Sequence, residues 1–337
     1  MSEELLFANA LKSSKAFNLI KNDFSLGLGN AYLIISQDDE AVQSFFRLIA
    51  CAVECDQHNS ACLECDSCLQ VLHYNYPDVK FFNQEKTPIK AEVMRAYLEE
   101  SRKAPVIIKE NRTPHVLIFI ERLDLTTERV MNFLLKSLEE PPEGVSFFLG
   151  TANENGVLET IKSRCRKVYL DIFSDDVILE ELKSLNVPDE TAEIAVACAD
   201  GQLGKARRIA LSEDYNESYK LVVNLLTKMQ KSTDIVFMSN IFDRYNKKSE
   251  NNMEILNIMS IMLRDVMIYK NNPSELRDGP IKEDIKKIAA SFSASAAEHA
   301  ILAVNDAKRK LYSPGCNPQA IADSLLFSIL EAKHLWR

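Results

Sequence analysis

Apolar positions fall into two textures along the chain. Up to about residue 172, short blocks of consecutive apolar residues alternate with stretches whose apolar residues recur at helical spacing. Residues 30–35, 79–82, 116–120, 146–150 and 167–170 read as strands. The uninterrupted run Val116-Leu117-Ile118-Phe119-Ile120 is what a parallel strand covered on both faces requires. Between them, residues 41–53, 89–102 and 128–138 read as helices. The last should be capped by Thr126 or Thr127 and is stopped by Pro141-Pro142. Ile89, Val93, Tyr97 and Leu98 are expected on one side of the second helix. Strands alternating with helices at this spacing predict a parallel sheet wound through βαβ units. Beyond residue 173 the strand signal disappears. Residues 174–185, 190–199 and 203–210 predict three short helices separated by Pro188 and Gly201. Longer helices follow at 215–231, 233–245, 252–269, 281–312 (open to an interruption) and 318–335.

These changes predict three domains: an α/β domain over 1–172 with an inserted cysteine module at about 51–78, a small helical domain over 173–212, and an all-α domain over 213–337. Only nine glycines are present, where average usage of about 7% would supply more than twice as many. The shortage suits helices and leaves little material for phosphate-cradling loops. A net charge of −9 and a pI near 5.3 argue against a free-standing nucleic-acid binder, which would carry a basic face. Acidic residues follow the start and no 18-residue apolar run occurs, so a soluble, cytoplasmic protein without a membrane partner is expected.

Five of the eight cysteines lie between positions 51 and 68. Cys62, Cys65 and Cys68 form two successive C-x-x-C steps, with Cys55 seven residues upstream and Cys51 beyond it. Dense thiols in a cytosolic chain mean a metal more often than disulfides. Four thiolates satisfy a tetrahedral zinc ion, and the metal would staple an insertion too small for its own core. Cys55, Cys62, Cys65 and Cys68 are the expected ligands of a structural zinc, with Cys51 as substitute for Cys55. Free thiols and an iron–sulfur cluster are the alternatives. The five histidines show neither ligand spacing nor pairing with a nucleophile.

Four elements in order carry a family resemblance. They are the Ala31-Tyr32-Leu33 strand, the four-cysteine module ending in Pro77-Asp78, the segment Leu134-Leu135-Lys136-Ser137-Leu138-Glu139-Glu140-Pro141-Pro142, and Ser163-Arg164-Cys165. Together they resemble the delta-prime subunits of the bacterial DNA polymerase III clamp loader and, more distantly, the gamma/tau subunits. The resemblance implies an AAA+ (RecA-like) domain, a helical lid and a helical collar that joins subunits into a ring.

Departures from the ATPase pattern are informative. Where the family's ATPases carry a glycine-rich loop ending in Lys-Thr, this chain reads Ser36-Gln37-Asp38-Asp39-Glu40-Ala41-Val42-Gln43. Laid on that pattern without gaps, Ser36 and Asp39 occupy glycine positions and Val42 the lysine position. Asp38, Asp39 and Glu40 would repel a triphosphate, since like charges ~4 Å apart cost about 4 kcal/mol at an effective dielectric of 20. Glu121 stands at the magnesium-binding aspartate, Arg122 at the water-orienting glutamate, and Gly204-Lys205 where a lid arginine is frequent. No ATP binding or hydrolysis by this chain is expected. Arg164, by resemblance, is an arginine finger offered in trans to a neighbour's ATP, with Ser163 and Cys165 fixing its loop. Such fingers are worth ~10³–10⁵ in rate, whereas an ordinary surface arginine pairs with a carboxylate for under about 1 kcal/mol. The implied partners are gamma/tau ATPase subunits, the delta subunit, the sliding clamp (weakly or indirectly) and primed DNA. Two rivals are an active gamma/tau-type ATPase with an unusual loop and a zinc-dependent nucleic-acid-binding module.

Overall fold

The computed structural model of the protein describes residues 5–24, 28–57, 61–109, 114–235, 249–276, 279–311 and 317–336. The chain divides into two compact units: Met1–Glu181 with Gly201–Lys205, and Leu182–Asp200 with Ala206–Arg337.

The first unit is built on a five-stranded sheet. Its strands are β1 (Ala31–Ile35), β2 (Val79–Phe82), β3 (Val116–Ile120), β4 (Val145–Thr151) and β5 (Arg166–Tyr169). All pairs are parallel and the order is β2-β3-β4-β1-β5, the parallel sheet that the alternating pattern predicts and one consistent with the AAA+ (RecA-like) domain that the resemblance implies. Helices α1 (Ala8–Ser13) and α2 (Lys15–Phe24) precede β1, and α3 (Asp39–Glu54) follows it. Then come α4 (Asp66–Leu72), α5 (Ala91–Glu100), α6 (Glu128–Glu139) and α7 (Glu159–Lys162).

One row of rings crosses four strands. Phe81, Phe119, Phe148 and Tyr32 are partners in the strand register, with successive ring centroids 4.9, 4.8 and 4.8 Å apart. Such stacked pairs add about 0.5–1.5 kcal/mol each beyond their area burial. Phe46 of α3 covers this row, its ring 5.1 Å from Phe119. Gly150 of β4 permits that closeness, because a Cβ there would lie 3.3 Å from Phe46 and 3.4 Å from Val42. The opposite face buries Leu33, Ile118, Ile120 and Leu149 against Met94, Leu98, Leu134 and Ile161.

Some boundaries differ from expectation. The first helix of the βαβ pattern begins two residues early, at Asp39, because Asp38 caps it. On α5, Met94 is buried and Val93 exposed. Thr127 sits at the N-cap of α6 without a side-chain bond, and the Thr126 hydroxyl accepts the Ile89 amide at 3.4 Å instead. Helices α1 and α2 had no strong sequence signal.

Helices α8 (Asp175–Ser184), α9 (Asp189–Ala199) and α10 (Leu203–Leu211) follow the sheet, and α11 (Glu213–Lys228), α12 (Ser249–Asn271), α13 (Pro280–Ala289), α14 (Ala294–Leu311) and α15 (Pro318–Leu335) complete the second unit. There α12 packs on α11, α13 and α14, and α14 packs on α15. The stretch 281–312 is two helices, separated where Ser293 Oγ caps α14 by accepting the Ala296 amide at 3.0 Å. Most of the expected helix 233–245 lies outside the described residues. Lys333 is buried on α15, and its ammonium satisfies the carbonyls of Leu226 and Met229 at the end of α11, at 2.6 and 2.9 Å. Among the described residues no helix is long and apolar enough to cross a membrane.

Candidate functional site

Three groups of residues singled out by the sequence lie in the first unit. The cysteine module occupies the turn between α3 and α4. Cys55, Cys62, Cys65 and Cys68 bring their sulfurs within 4.8 Å of one another. Thiolates about 2.3 Å from one tetrahedral zinc would stand about 3.8 Å apart, and Cys62 and Cys68 are already 3.9 Å apart. Thiolates of a multi-iron cluster bind different iron atoms and spread wider, so the spacing favours a single ion. Backbone amides also point at the sulfurs: Asp56 and Cys68 at Cys65, Cys62 at Cys55, and Cys65 at Cys62, all at 3.3–3.5 Å. Such donors stabilise thiolate charge around a cation. Burial pushes the Cys65 thiol up to about 12 and that of Cys68 higher still, the latter chiefly through its bond with Cys51. Cys51 lies apart from the cluster, its thiol donating to the Cys68 carbonyl at 3.7 Å. The donor set fits one metal ion held by four sulfurs, and its chemistry is that of a four-thiolate zinc site.

The module is clasped from downstream. Lys109 Nζ reaches Asp56 at 3.0 Å, Ser67 Oγ at 2.9 Å and the Glu54 carbonyl. Burial opposes ionisation of Asp56, but the bonds from Lys109 and Ser67 outweigh it and hold its carboxyl well below the usual range. Asp78 accepts the amides of Val106 and Ile107 at 2.8 and 2.7 Å, which fixes the approach to Lys109.

The second group surrounds the loop after β1. In phosphate-binding loops, amides at the following helix N-terminus receive the anion. Here Asp38, only 4% exposed, supplies a carboxylate from the chain itself. Its Oδ1 accepts the Ala41 amide at 3.2 Å and its Oδ2 accepts the Gly204 amide at 2.8 Å. Gly204 has to be glycine, since a Cβ would stand 2.4 Å from Asp38 Oδ1. Ser36 Oγ accepts the Asp38 amide at 3.1 Å. Val42 is buried beneath β4, away from the loop.

Arg122 joins this group from the segment after β3. It takes a left-handed backbone conformation at φ 51°, which costs about 1–2 kcal/mol for such a residue. Three charge-assisted bonds offset that cost: Nη1 to Asp39 at 3.0 Å, and a bidentate pair to Asp124 at 3.0 and 3.0 Å. Asp38 is partnered by amides and Asp39 by a guanidinium. The expected repulsive cluster is thus largely neutralised internally. Glu121 is 3% exposed, and burial pushes its carboxyl up to about 8, with Lys86 opposing and Asp39 adding to the shift. Near neutral pH it is mostly protonated, a poor magnesium ligand.

The third group lies across the sheet. Ser163 and Arg164 form the turn after α7, and Cys165 anchors that turn by burying its thiol in the core, where desolvation pushes it up to about 12. Ser163 Oγ donates to the Thr160 carbonyl at 3.1 Å. Arg164, its side chain 34% exposed, donates through Nη1 to the same carbonyl at 2.8 Å and to Ser163 Oγ at 3.4 Å. Through Nη2 it pairs with Glu139 at 2.6 Å. Arg166 and Lys167 are paired elsewhere, with Asp23 and Glu154. The strand register places this turn. Tyr32 pairs with Arg166 and Ile35 with Tyr169, in parallel. Arg164 therefore precedes one end of β5 while Ser36–Asp38 lie past the other, with the paired span from Arg166 to Tyr169, about 10 Å at 3.3 Å per residue, between them.

Sequence inspection assigned no role to Glu139, Lys109 or Asp78. Asp38 had a usable signal, an acid just ahead of a helical pattern. Glu139 and Lys109 had none, because their partners are 25 and at least 42 residues away.

Comparison with known proteins gives this arrangement a context. Residues 12–174 match the family described as "DNA polymerase III, delta subunit". The DNA polymerase III subunit delta' of Bacillus subtilis (strain 168) is 24% identical over 319 residues, 94% of each chain. That of Haemophilus influenzae is 28% identical over 185 residues, 54% of this chain and 55% of the relative. The tau subunit of Escherichia coli (strain K12) is 28% identical over 182 residues, 53% of this chain and 27% of the longer tau chain. In fold, a DNA polymerase III gamma-subunit-related protein of Thermotoga maritima superposes with a TM-score of 0.50 at 16% identity, covering 94% of this chain and 99% of the other. The chain is thus similar, most of all over residues 12–174, to DNA polymerase III subunits of the delta-prime, gamma and tau types.

Proposed function

We propose that this chain is the non-hydrolysing, delta-prime-type subunit of a DNA polymerase III clamp loader, offering Arg164 to the ATP of a neighbouring gamma/tau-type subunit. The observation that carries this reading is the separation of the two motifs. Arg164 sits at the opposite end of the sheet from the loop after β1, and at that loop Asp38 accepts the Ala41 and Gly204 amides while Arg122 pairs with Asp39. An arginine placed away from its own loop suits a triphosphate held by another chain. The guanidinium would then stabilise charge spreading over the transferring phosphoryl group.

On this reading residues 173–212 act as a lid-like domain, and 213–337 as a collar joining this chain to gamma/tau and delta subunits. The assembly opens a sliding clamp and sets it on primed DNA in the cytoplasm. Zinc braces the module at 51–78 and takes no part in chemistry. The test is ATP turnover by the complex reconstituted with gamma/tau-type subunits from the same organism. Arg164→Ala should leave assembly intact and cut turnover by at least ~10³ at the affected site. Unchanged turnover, or micromolar ATP binding by the isolated chain, would overturn the proposal.

A further inference from the structure

The end of α6 breaks a local rule. Helix C-termini carry partial negative charge and favour cations, yet α6 ends on Glu139 followed by Glu140 and the two prolines. A carboxylate kept where the helix disfavours it points to a task elsewhere. Its one contact of note is Arg164: Glu139 Oε1 accepts from Nη2 at 2.6 Å, while Thr160 and Ser163 hold Nη1. The guanidinium is thus gripped along its Nη1/Nη2 edge. Among the described residues, Nε makes no hydrogen bond with this chain.

We propose that Glu139 is a positioning residue that presets the guanidinium of Arg164, an inference that rests on the reading of Arg164 as a finger. Arginine loses side-chain rotamer entropy when it is ordered, and a planar fork already held in place loses less of it on meeting a phosphate. Proline at 141 and 142 ends the helix at a fixed residue, so Glu139 offers its oxygen from a constant place. The pair acts in the transition state of the neighbour's reaction and adds nothing to ground-state nucleotide binding.

The experiment uses the reconstituted complex with Arg164→Ala, Glu139→Ala, Glu139→Gln and the double alanine variant. Glu139→Ala should lower kcat about tenfold, within the ~10²-fold that misplacing a reacting group can cost, and leave the KM for ATP within about twofold. Glu139→Gln should retain at least half of the turnover, because its amide oxygen still accepts from Nη2. The double variant should match Arg164→Ala alone. If the alanine variant does not assemble, Glu139→Asp carries the test with an intermediate loss of kcat. Equal or raised turnover in Glu139→Ala, with Arg164→Ala still impaired, overturns the positioning role alone. Full turnover in Arg164→Ala removes the finger reading beneath it.

Discussion

The carboxylate of Asp38 bridges two backbone amides, that of Ala41 at 3.2 Å in the first turn of α3 and that of Gly204 at 2.8 Å in the first turn of α10. A negative group therefore sits at the helix N-terminus without any ligand. Asp38→Ala removes a helix cap, typically worth ~1 kcal/mol, and strips the Gly204 amide of its partner at a further ~1–3 kcal/mol. Urea denaturation should register a loss of roughly 2–4 kcal/mol in the first transition to include the sheet. Asp38→Asn, which keeps an acceptor oxygen, should lose less.

Gly204→Ala tests the same contact from the other side. The new methyl would stand 2.4 Å from Asp38 Oδ1 and 2.6 Å from Glu40 Cβ, so the turn has to shift. Overpacking of this kind costs about 1–3 kcal/mol. A thermal melt unchanged from the parent would mean that the turn relaxes freely.

Cysteine replacements separate ligands from neighbours. Purified protein should contain one equivalent of zinc by elemental analysis. Cys55→Ser, Cys62→Ser, Cys65→Ser or Cys68→Ser should each lose it or bind it far more weakly, given apparent free energies of about 10–16 kcal/mol for structural zinc sites. Cys51→Ser should keep the metal, since the Cys51 sulfur lies outside the four-sulfur group and its thiol donates to the Cys68 carbonyl. Retention of zinc by Cys55→Ser with loss by Cys51→Ser would reverse that assignment.

Glu121 should make stability depend on pH. Its folded-state pKa, near 8, exceeds the ordinary carboxyl value, so the folded protein holds this proton more tightly than the unfolded chain. The associated stability is fully present below about pH 4 and is lost progressively as pH rises to about 8. Glu121→Gln cannot ionise, so its stability relative to the parent should climb across that window and level off above it. Paired urea curves at pH 5 and pH 8.5 measure the difference. A constant offset between the two proteins would show that Glu121 titrates normally.

The sheet was legible because its signal is local. The continuous apolar run at 116–120 and the short block at 146–150 read as buried strands, and prolines 141 and 142 marked the end of α6. The cysteine cluster was legible for the same reason, with all its sulfurs drawn from 14 consecutive residues. The contacts of Arg122 were not. Its side chain turns back because the backbone enters the left-handed region, a choice that no spacing rule flags for arginine. The fate of Asp39 depended on that turn, so three adjacent acids read as a repulsive trio where the fold had already neutralised part of it. An interruption of 281–312 was allowed for, but its place at 290–293 was not marked, because the alanine-rich sequence on both sides favours helix throughout.

The clasp on the cysteine module bears on how the chain is assembled. The four sulfurs gather over a short span, so a metal can close that knot early, at small entropic cost. Lys109 joins residues 53 positions apart, and its ammonium meets Asp56 only after β2 and α5 have taken their places. The knot is thus a local event and the clasp a late one. A newly made chain should hold zinc well before Lys109 docks, with the lysine acting as the last bolt on a fitting that metal has already shaped.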